Sequence, residues 1–186
     1  MRIIAGAYRG RRLRTLRGRE VRPTSDRLRE TLFDVLGSSV AGSVFVDCYA
    51  GSGAVGLEAL SRGAVQVFWI EENPPAVRAI ENNLAALGGS PQARIVRARA
   101  SAGLRRLEQQ GVQAHFCFLD PPYAALPEAV RSLRWLAASS LMLPGGTIIL
   151  EHSRKDASPE QIGGWSRTRL LQQGSSSLSF YKLQED

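Results

Sequence analysis

Two short stretches of this chain carry groups that strand and loop formation alone would not select. The first is "FLDPPYA" (118–124), in which an apolar run ends on Asp120 and is followed by Pro121, Pro122 and Tyr123. Proline has no N–H and a fixed φ, so two in succession make a stiff segment whose carbonyl is not lost to local hydrogen bonding. The Asp120 carboxylate and the Pro121 carbonyl then act as acceptors aimed off the end of a strand, with the Tyr123 ring beside them. An exocyclic amino group on a flat ring suits that arrangement. Its lone pair is delocalised into the ring, and acceptors bonded to its hydrogens draw the nitrogen toward tetrahedral geometry, where it can attack. Such catalysis is mostly positioning, which is worth roughly 7–11 kcal/mol for well-aligned reactants. The plain alternative is a rigid loop with Asp120 capping the next helix.

The second stretch is "DCYAGSGAVGLEAL" (47–60), where Gly51, Gly53 and Gly56 fit G-x-G-x-x-G and Glu71 stands 20 residues after Gly51. A glycine loop between a strand and a helix lets the backbone approach a ligand closely, and an acid at that distance grips a ribose hydroxyl pair. Asp47, four residues before Gly51, refines the ligand. It would repel a diphosphate and accept an ammonium, so S-adenosylmethionine fits better than NAD. A glycine turn serving only strand-to-helix packing is the alternative.

These residues need a scaffold that brings strand ends together, and the rest of the chain supplies one. Short apolar runs at 43–48, 65–71, 93–98, 114–120 and 146–152 alternate with helical patterns at about 53–62, 73–87, 100–110 and 126–139. Strands alternating with helices predict parallel pairing and a sheet covered on both faces. Asn73 and Pro74 supply a cap and a first-turn proline for the second of these helices. "WSRTRLLQQGSSSLSFYKL" (165–183) breaks the alternation and predicts an antiparallel hairpin around a Gly-Ser turn. Upstream, "RPTSDRLRETLFDVLG" (22–37) predicts a helix capped by Ser25, with a stripe of Leu28, Leu32, Val35 and Leu36. "RIIAGAYRGRRLRTL" (2–16) predicts a small basic hairpin around Tyr8-Arg9-Gly10. The expected fold is α/β, with a mostly parallel seven-stranded sheet, a C-terminal antiparallel hairpin and a basic N-terminal β-hairpin. Residues 1–21 form the extension and 22–186 the main domain.

Composition narrows the partners. With 186 residues and 44% hydrophobic content the chain can bury a substantial core. No apolar run reaches the roughly 18–20 residues of a membrane span, so a cytoplasmic protein with no membrane partner is expected. Cys48 and Cys117 lie in apolar strands, and His115 and His152 do not complete a zinc-ligand spacing, so no metal is expected. The net charge of +7 is carried entirely by residues 1–30, which hold ten arginines against three acids, while the remainder is balanced. Concentrated arginine is the footprint of a polyanion, and nucleic acid outweighs a merely solubilising tail.

"DCYAGSGAVGLEALSRGA" followed by "DPPY" resembles the class I S-adenosylmethionine-dependent methyltransferases that act on amino groups. With "RIIAGAYRGRRL" and "RPTSDRLRETLFDVL" added, the whole chain resembles the RsmD family, which methylates the exocyclic N2 of a guanine in bacterial small-subunit (16S) ribosomal RNA. The resemblance implies a Rossmann-like class I methyltransferase fold with S-adenosylmethionine as cofactor. Asp47, Gly51, Ser52 and Gly53 would hold the methionine end and Glu71 the ribose, with Thr24 closing over the cofactor. Asp120, Pro121, Pro122 and Tyr123 would present the target amine. Arg2, Arg9, Arg11, Arg12, Arg14 and Arg22 would hold phosphates of 16S rRNA, within an assembling small subunit, the enzyme acting as a monomer. One position departs from the family pattern. Arg99 stands where an acid usually accepts a bond from adenine, and a guanidinium has no acceptor, so either the backbone near Ala100 reads the base or the cofactor binds weakly in isolation. The competing readings are an adenine-N6 DNA methyltransferase, an NAD-dependent oxidoreductase using the same glycine loop, and a non-catalytic RNA-binding module.

Overall fold

The computed structural model describes residues 1–15, 26–122 and 125–184. Five helices, α1 (Asp26–Leu36), α2 (Ala54–Ser61), α3 (Pro74–Ala86), α4 (Ala100–Gln109) and α5 (Leu126–Ala138), surround one sheet. Its strands are β1 (Val44–Cys48), β2 (Gln66–Glu71), β3 (Ala93–Arg97), β4 (Ala114–Leu119), β5 (Met142–Ser153), β6 (Gln161–Ile162), β7 (Trp165–Gln173) and β8 (Ser176–Leu183). The spatial order is β3-β2-β1-β4-β5-β8-β7-β6. The first five pair in parallel, and the last three join antiparallel. Strand order reverses between β1 and β4, which makes a topological switch point at their carboxyl ends, where open α/β sheets bind ligands.

Alternation along the central strands builds two cores. Phe45, Val67, Trp69, Phe116 and Phe118 pack with Leu32 and Phe33 of α1, Leu57 of α2 and Ile80 of α3. Their neighbours Val46, Cys48, Phe68, Ile70, Cys117 and Leu119 pack with Leu104 of α4 and Leu133 and Leu136 of α5. Helices α1–α3 therefore cover one face and α4–α5 the other. Every residue of α2 is buried, as expected of a helix apolar on all sides, because the N-terminal segment lies over its outer surface.

Two expectations need correction, the strand number and the Asn73 cap. The sheet has eight strands rather than seven: Gly163-Gly164 forms a two-residue turn that returns the chain from Ile162 to Trp165, adding a short edge strand. The N-terminal hairpin forms as expected but is short: one antiparallel bridge, Arg2 with Arg12, is flanked by backbone bonds from the Ile3 N–H to the Arg11 carbonyl, from the Gly10 N–H to the Ile3 carbonyl and from the Leu13 N–H to the Met1 carbonyl, at 3.0, 2.9 and 3.1 Å. Its next N–H groups bond α2 instead of a partner strand, Ile4 and Ala5 to the Glu58 carboxylate at 2.8 and 3.0 Å. Asn73 occupies the N-cap of α3 but makes no capping bond with its side chain, while Pro74 begins the helix as expected. The proposed Ser25 cap lies outside the described residues. Among the described residues no helix is long and apolar enough to cross a membrane. The Cys48 and Cys117 sulfurs lie 4.0 Å apart in the core.

Candidate functional site

The site begins where β1 ends. Tyr49 has φ 58°, a left-handed conformation in a non-glycine residue, which costs on the order of 1–3 kcal/mol and persists where its surroundings over-determine it. The turn sends the backbone into the glycine loop. Asp47, 2% exposed, accepts a bond from the Gly56 N–H at 2.8 Å, so a strand carboxylate satisfies one of the orphan donors in the first turn of α2. Gly56 is required for this packing, since a Cβ there would lie 2.3 Å from Trp69 Nε1. Trp69 Nε1 in turn donates to the Gly53 carbonyl at 3.1 Å. Glu71 closes the far side, accepting from the Gly51 N–H and the Asn73 N–H, both at 2.8 Å. The free side of Gly51 faces open space.

Burial pushes the Asp47 carboxyl up to about 8, against the Gly56 N–H that lowers it and with the neighbouring Glu71 charge that raises it further. Among the described residues no cation pairs with this carboxyl. A ligand ammonium would supply one, and Glu71 keeps lone pairs for hydroxyl donors beyond its two backbone bonds. The residues present therefore fit a cofactor with an amino-acid end and a ribose.

The acidic turn lies against this loop. Cys48 pairs with Leu119 in the β1–β4 register, and the Asp120 N–H donates to the Cys48 carbonyl at 3.4 Å. Asp120 is half-buried, Pro121 buried and Pro122 exposed. The Pro122 carbonyl accepts from the Ala125 N–H at 2.7 Å, leading into α5. Tyr123, Thr24 and Arg22 lie outside the described residues. Sequence reasoning missed Glu151. Leu119 pairs with Leu150, so Glu151, only 7% exposed, stands beside Asp120. Alternation from Ile149 puts it on the same face as Asp47 and Asp120. The available signal was "GTIILEH", another apolar strand run that reaches a carboxylate near its end.

At the other end of the site Ala100 is buried at the start of α4, and exposed Arg99 pairs with Glu72 at 3.3 Å. The arm arginines Arg2, Arg9, Arg11, Arg12 and Arg14 are all exposed. The segment that carries them is held tightly. A Cβ on Gly6 would lie 1.9 Å from the Ser61 carbonyl oxygen. Ser61 Oγ accepts from the Tyr8 N–H and donates to the Ala5 carbonyl. The Asn83 amide bonds Arg14 on both backbone groups and the Ser52 carbonyl at 3.0 Å, joining the arm to the glycine loop.

A family model described as Conserved hypothetical protein 95 matches residues 1–182. YlbH of Bacillus subtilis is 32% identical over 183 residues, 98% of this chain and 98% of that one. The Escherichia coli K12 protein named Ribosomal RNA small subunit methyltransferase D is 35% identical over 187 residues, 98% of this chain and 89% of that one. The solved structure of Escherichia coli yhhF superposes with a TM-score of 0.85 at 30% identity, covering 100% of this chain and 99% of that one.

Proposed function

The chain belongs to the RsmD family of methyltransferases, with their Rossmann-like class I fold, and from that premise we propose that it transfers a methyl group from S-adenosylmethionine to the exocyclic N2 of a guanine in small-subunit ribosomal RNA. One observation carries the reading: the Asp120 N–H bonds the Cys48 carbonyl, so the acceptor turn and the Asp47–Glu71 loop share one edge at the switch point.

Asp47 would hold the ammonium of the cofactor, the backbone of Gly51, Ser52 and Gly53 its methionine end, Glu71 its ribose, and the start of α4 near Ala100 its adenine. When bound there, S-adenosylmethionine supplies an electrophilic methyl group. Asp120 accepts a hydrogen of the target amine, localises the nitrogen lone pair, and takes the proton that the nitrogen sheds once methylated. Glu151 beside it accepts from the ring. Guanine presents an N1–H donor next to its N2 amine, whereas adenine presents an N1 acceptor that would face a carboxylate, so two adjacent acids favour guanine. Tyr123 would stack on the base, and Thr24 would close the cofactor side. The test is transfer of labelled methyl to 16S rRNA and to small subunits from cells lacking the enzyme, followed by nucleoside analysis. Label in N6-methyladenosine, or no label, overturns the reading.

Two further outcomes follow from the same assignment. Asp47 is protonated below about pH 8 in the free protein and ionised when paired with an ammonium. Its raised value means that this group lowers folding stability as pH climbs from its unfolded value toward 8, a cost that the bound ammonium relieves. Affinity for S-adenosylhomocysteine should therefore rise up to about tenfold per pH unit between 6 and 8 and level off above. Titration calorimetry of Asp47→Asn should give weaker binding with a flat profile in that range. For the arm, replacing Arg9, Arg11 and Arg12 with alanine should raise the RNA concentration needed for half-maximal rate. It should also reduce the salt slope of binding by about 2 to 3, at roughly 0.7–0.9 per phosphate contact; an unchanged slope reassigns the arm to solubility.

A further inference from the structure

On the sheet face opposite the arm, α4 and α5 leave a groove of about 370 Å³ at their N-terminal ends, within the size range of single-ligand sites, roughly 300–1,000 Å³. Its walls come from one stripe of each helix. Ser101 and Arg105 are four apart on α4, while Arg131, Ser132 and Trp135 follow Glu128 on one face of α5. Arg99, paired with Glu72, also lines it, so the groove carries three guanidinium groups against the lining carboxylate of Glu128 and the Glu72 partner of Arg99. Arg99, Arg105 and Arg131 are exposed, and Trp135 is half-buried. At the wall, Ser132 is 3% exposed; its hydroxyl lies near the buried Tyr49 hydroxyl, and among the described residues neither has a partner in full hydrogen-bond geometry. Burial holds the Tyr49 phenol up at about 12, with the Glu128 charge adding to it and nearby Ser132 opposing, so both groups stay neutral.

An unpaired buried hydroxyl costs on the order of 1–3 kcal/mol, and here it lines an open, basic cavity. Arginine forks match phosphate oxygens in pairs. The indole of Trp135 offers a face to a base, an interaction worth about 1–3 kcal/mol in single-strand binders. One wall of the groove is α5, the helix that follows the acidic turn in sequence, and the arm is bonded to α2 and α3 on the other face of the sheet.

We infer that this groove binds the nucleotide of the RNA strand next to the methylated one, its phosphate held by Arg105 and Arg131 with a bond from Ser132, and its base resting on Trp135. The inference rests on the RNA-methyltransferase reading above. The strand would then cross the carboxyl edge between two basic surfaces, with the target base delivered to Asp120 from the middle. Arg99, which has no acceptor to offer adenine, gains a role as the third cation at the groove mouth.

The test uses the full chain, small subunits from cells lacking the enzyme, and two variants. Arg105→Ala with Arg131→Ala removes exposed side chains, and Ser132→Ala removes only an unpartnered hydroxyl, so both should melt like the parent protein. The double variant should raise KM for subunits about tenfold and lower the salt slope by roughly 1.4–1.8, with S-adenosylhomocysteine affinity unchanged; Ser132→Ala should raise KM a few-fold. An unchanged KM and slope would overturn the groove while leaving the methyltransferase reading intact. Equal loss of S-adenosylhomocysteine affinity would make it part of the cofactor pocket instead. If the parent protein neither binds nor methylates subunits, both readings fall.

Discussion

Asp120→Ala should lower methyl transfer by at least about 10³-fold while S-adenosylhomocysteine binds within about twofold of the parent affinity. The size follows from what the carboxylate does. A conjugated amine reacts only when its hydrogens are held by acceptors at the right angle, and removing one preorganised hydrogen-bonding group from a reacting centre costs roughly 10²–10³. In the proposed reaction Asp120 would also receive the proton the nitrogen must lose, which would add a general-base contribution of about 10²–10⁴. The cofactor contacts survive because Asp47 and Glu71 hang from β1 and β2, and their bonds to Gly56 and Gly51 do not involve β4. Single-turnover transfer alongside calorimetry measures both. Full activity in the variant would show that the turn is structural, and parallel loss of cofactor binding would show that Asp120 belongs to the other half of the site.

The second large effect concerns Glu58, which lies in α2 rather than at the acidic turn. Its side chain and that of Arg29 are both 0% exposed, with Arg29 Nε 3.6 Å from the carboxylate. Glu58 also accepts from Arg62 Nε at 2.8 Å and from the Ile4 and Ala5 N–H groups. Arg29 answers from the other side, donating to the Arg2 carbonyl and to Asp26, while among the described residues its Nε and Nη1 make no hydrogen bond. Breaking a buried pair by removing one partner typically costs 3–5 kcal/mol, because the remaining charge is left uncompensated. Glu58→Ala should therefore lower Tm by roughly 10 °C for a domain of this size and expose the arm arginines to trypsin. Adding Arg29→Leu should recover part of that loss by removing the stranded charge. Recovery should stay incomplete, since two backbone N–H groups lose their acceptor at about 1–3 kcal/mol each. A Glu58→Ala protein that melts like the parent would mean the arm is held by its apolar contacts, Ile3 and Leu13.

Why were the glycine loop and the acidic turn legible, and Glu58 not? Asp47, Glu71 and Asp120 sit at ends of short apolar runs, with Gly51 and Gly56 in the loop and helix that follow the first, and in a parallel sheet all such ends with a following helix meet at one edge. Glu58 sits inside "AVGLEALS", where its charge reads as a solvated helix position. It is buried because the N-terminal segment folds back over α2, bringing together residues more than 50 positions apart. Arg99 shows the same gap from the other side. As a letter it is a missing acceptor for adenine; in the fold it joins Arg105 and Arg131 at one groove.

By itself the sequence determined the order of strands and helices, the carboxyl-edge position of the two motifs and the excess charge of the arm, because each depends on periodicity and spacing within a few residues. Tertiary structure alone decided what those groups touch. Asp47 becomes a buried carboxyl held near neutrality, Glu151 becomes the neighbour of Asp120, and two helix faces separated by the whole of β4 become one basic groove. Burial and cross-strand register set all three, and neither exists until the sheet has closed over its two cores.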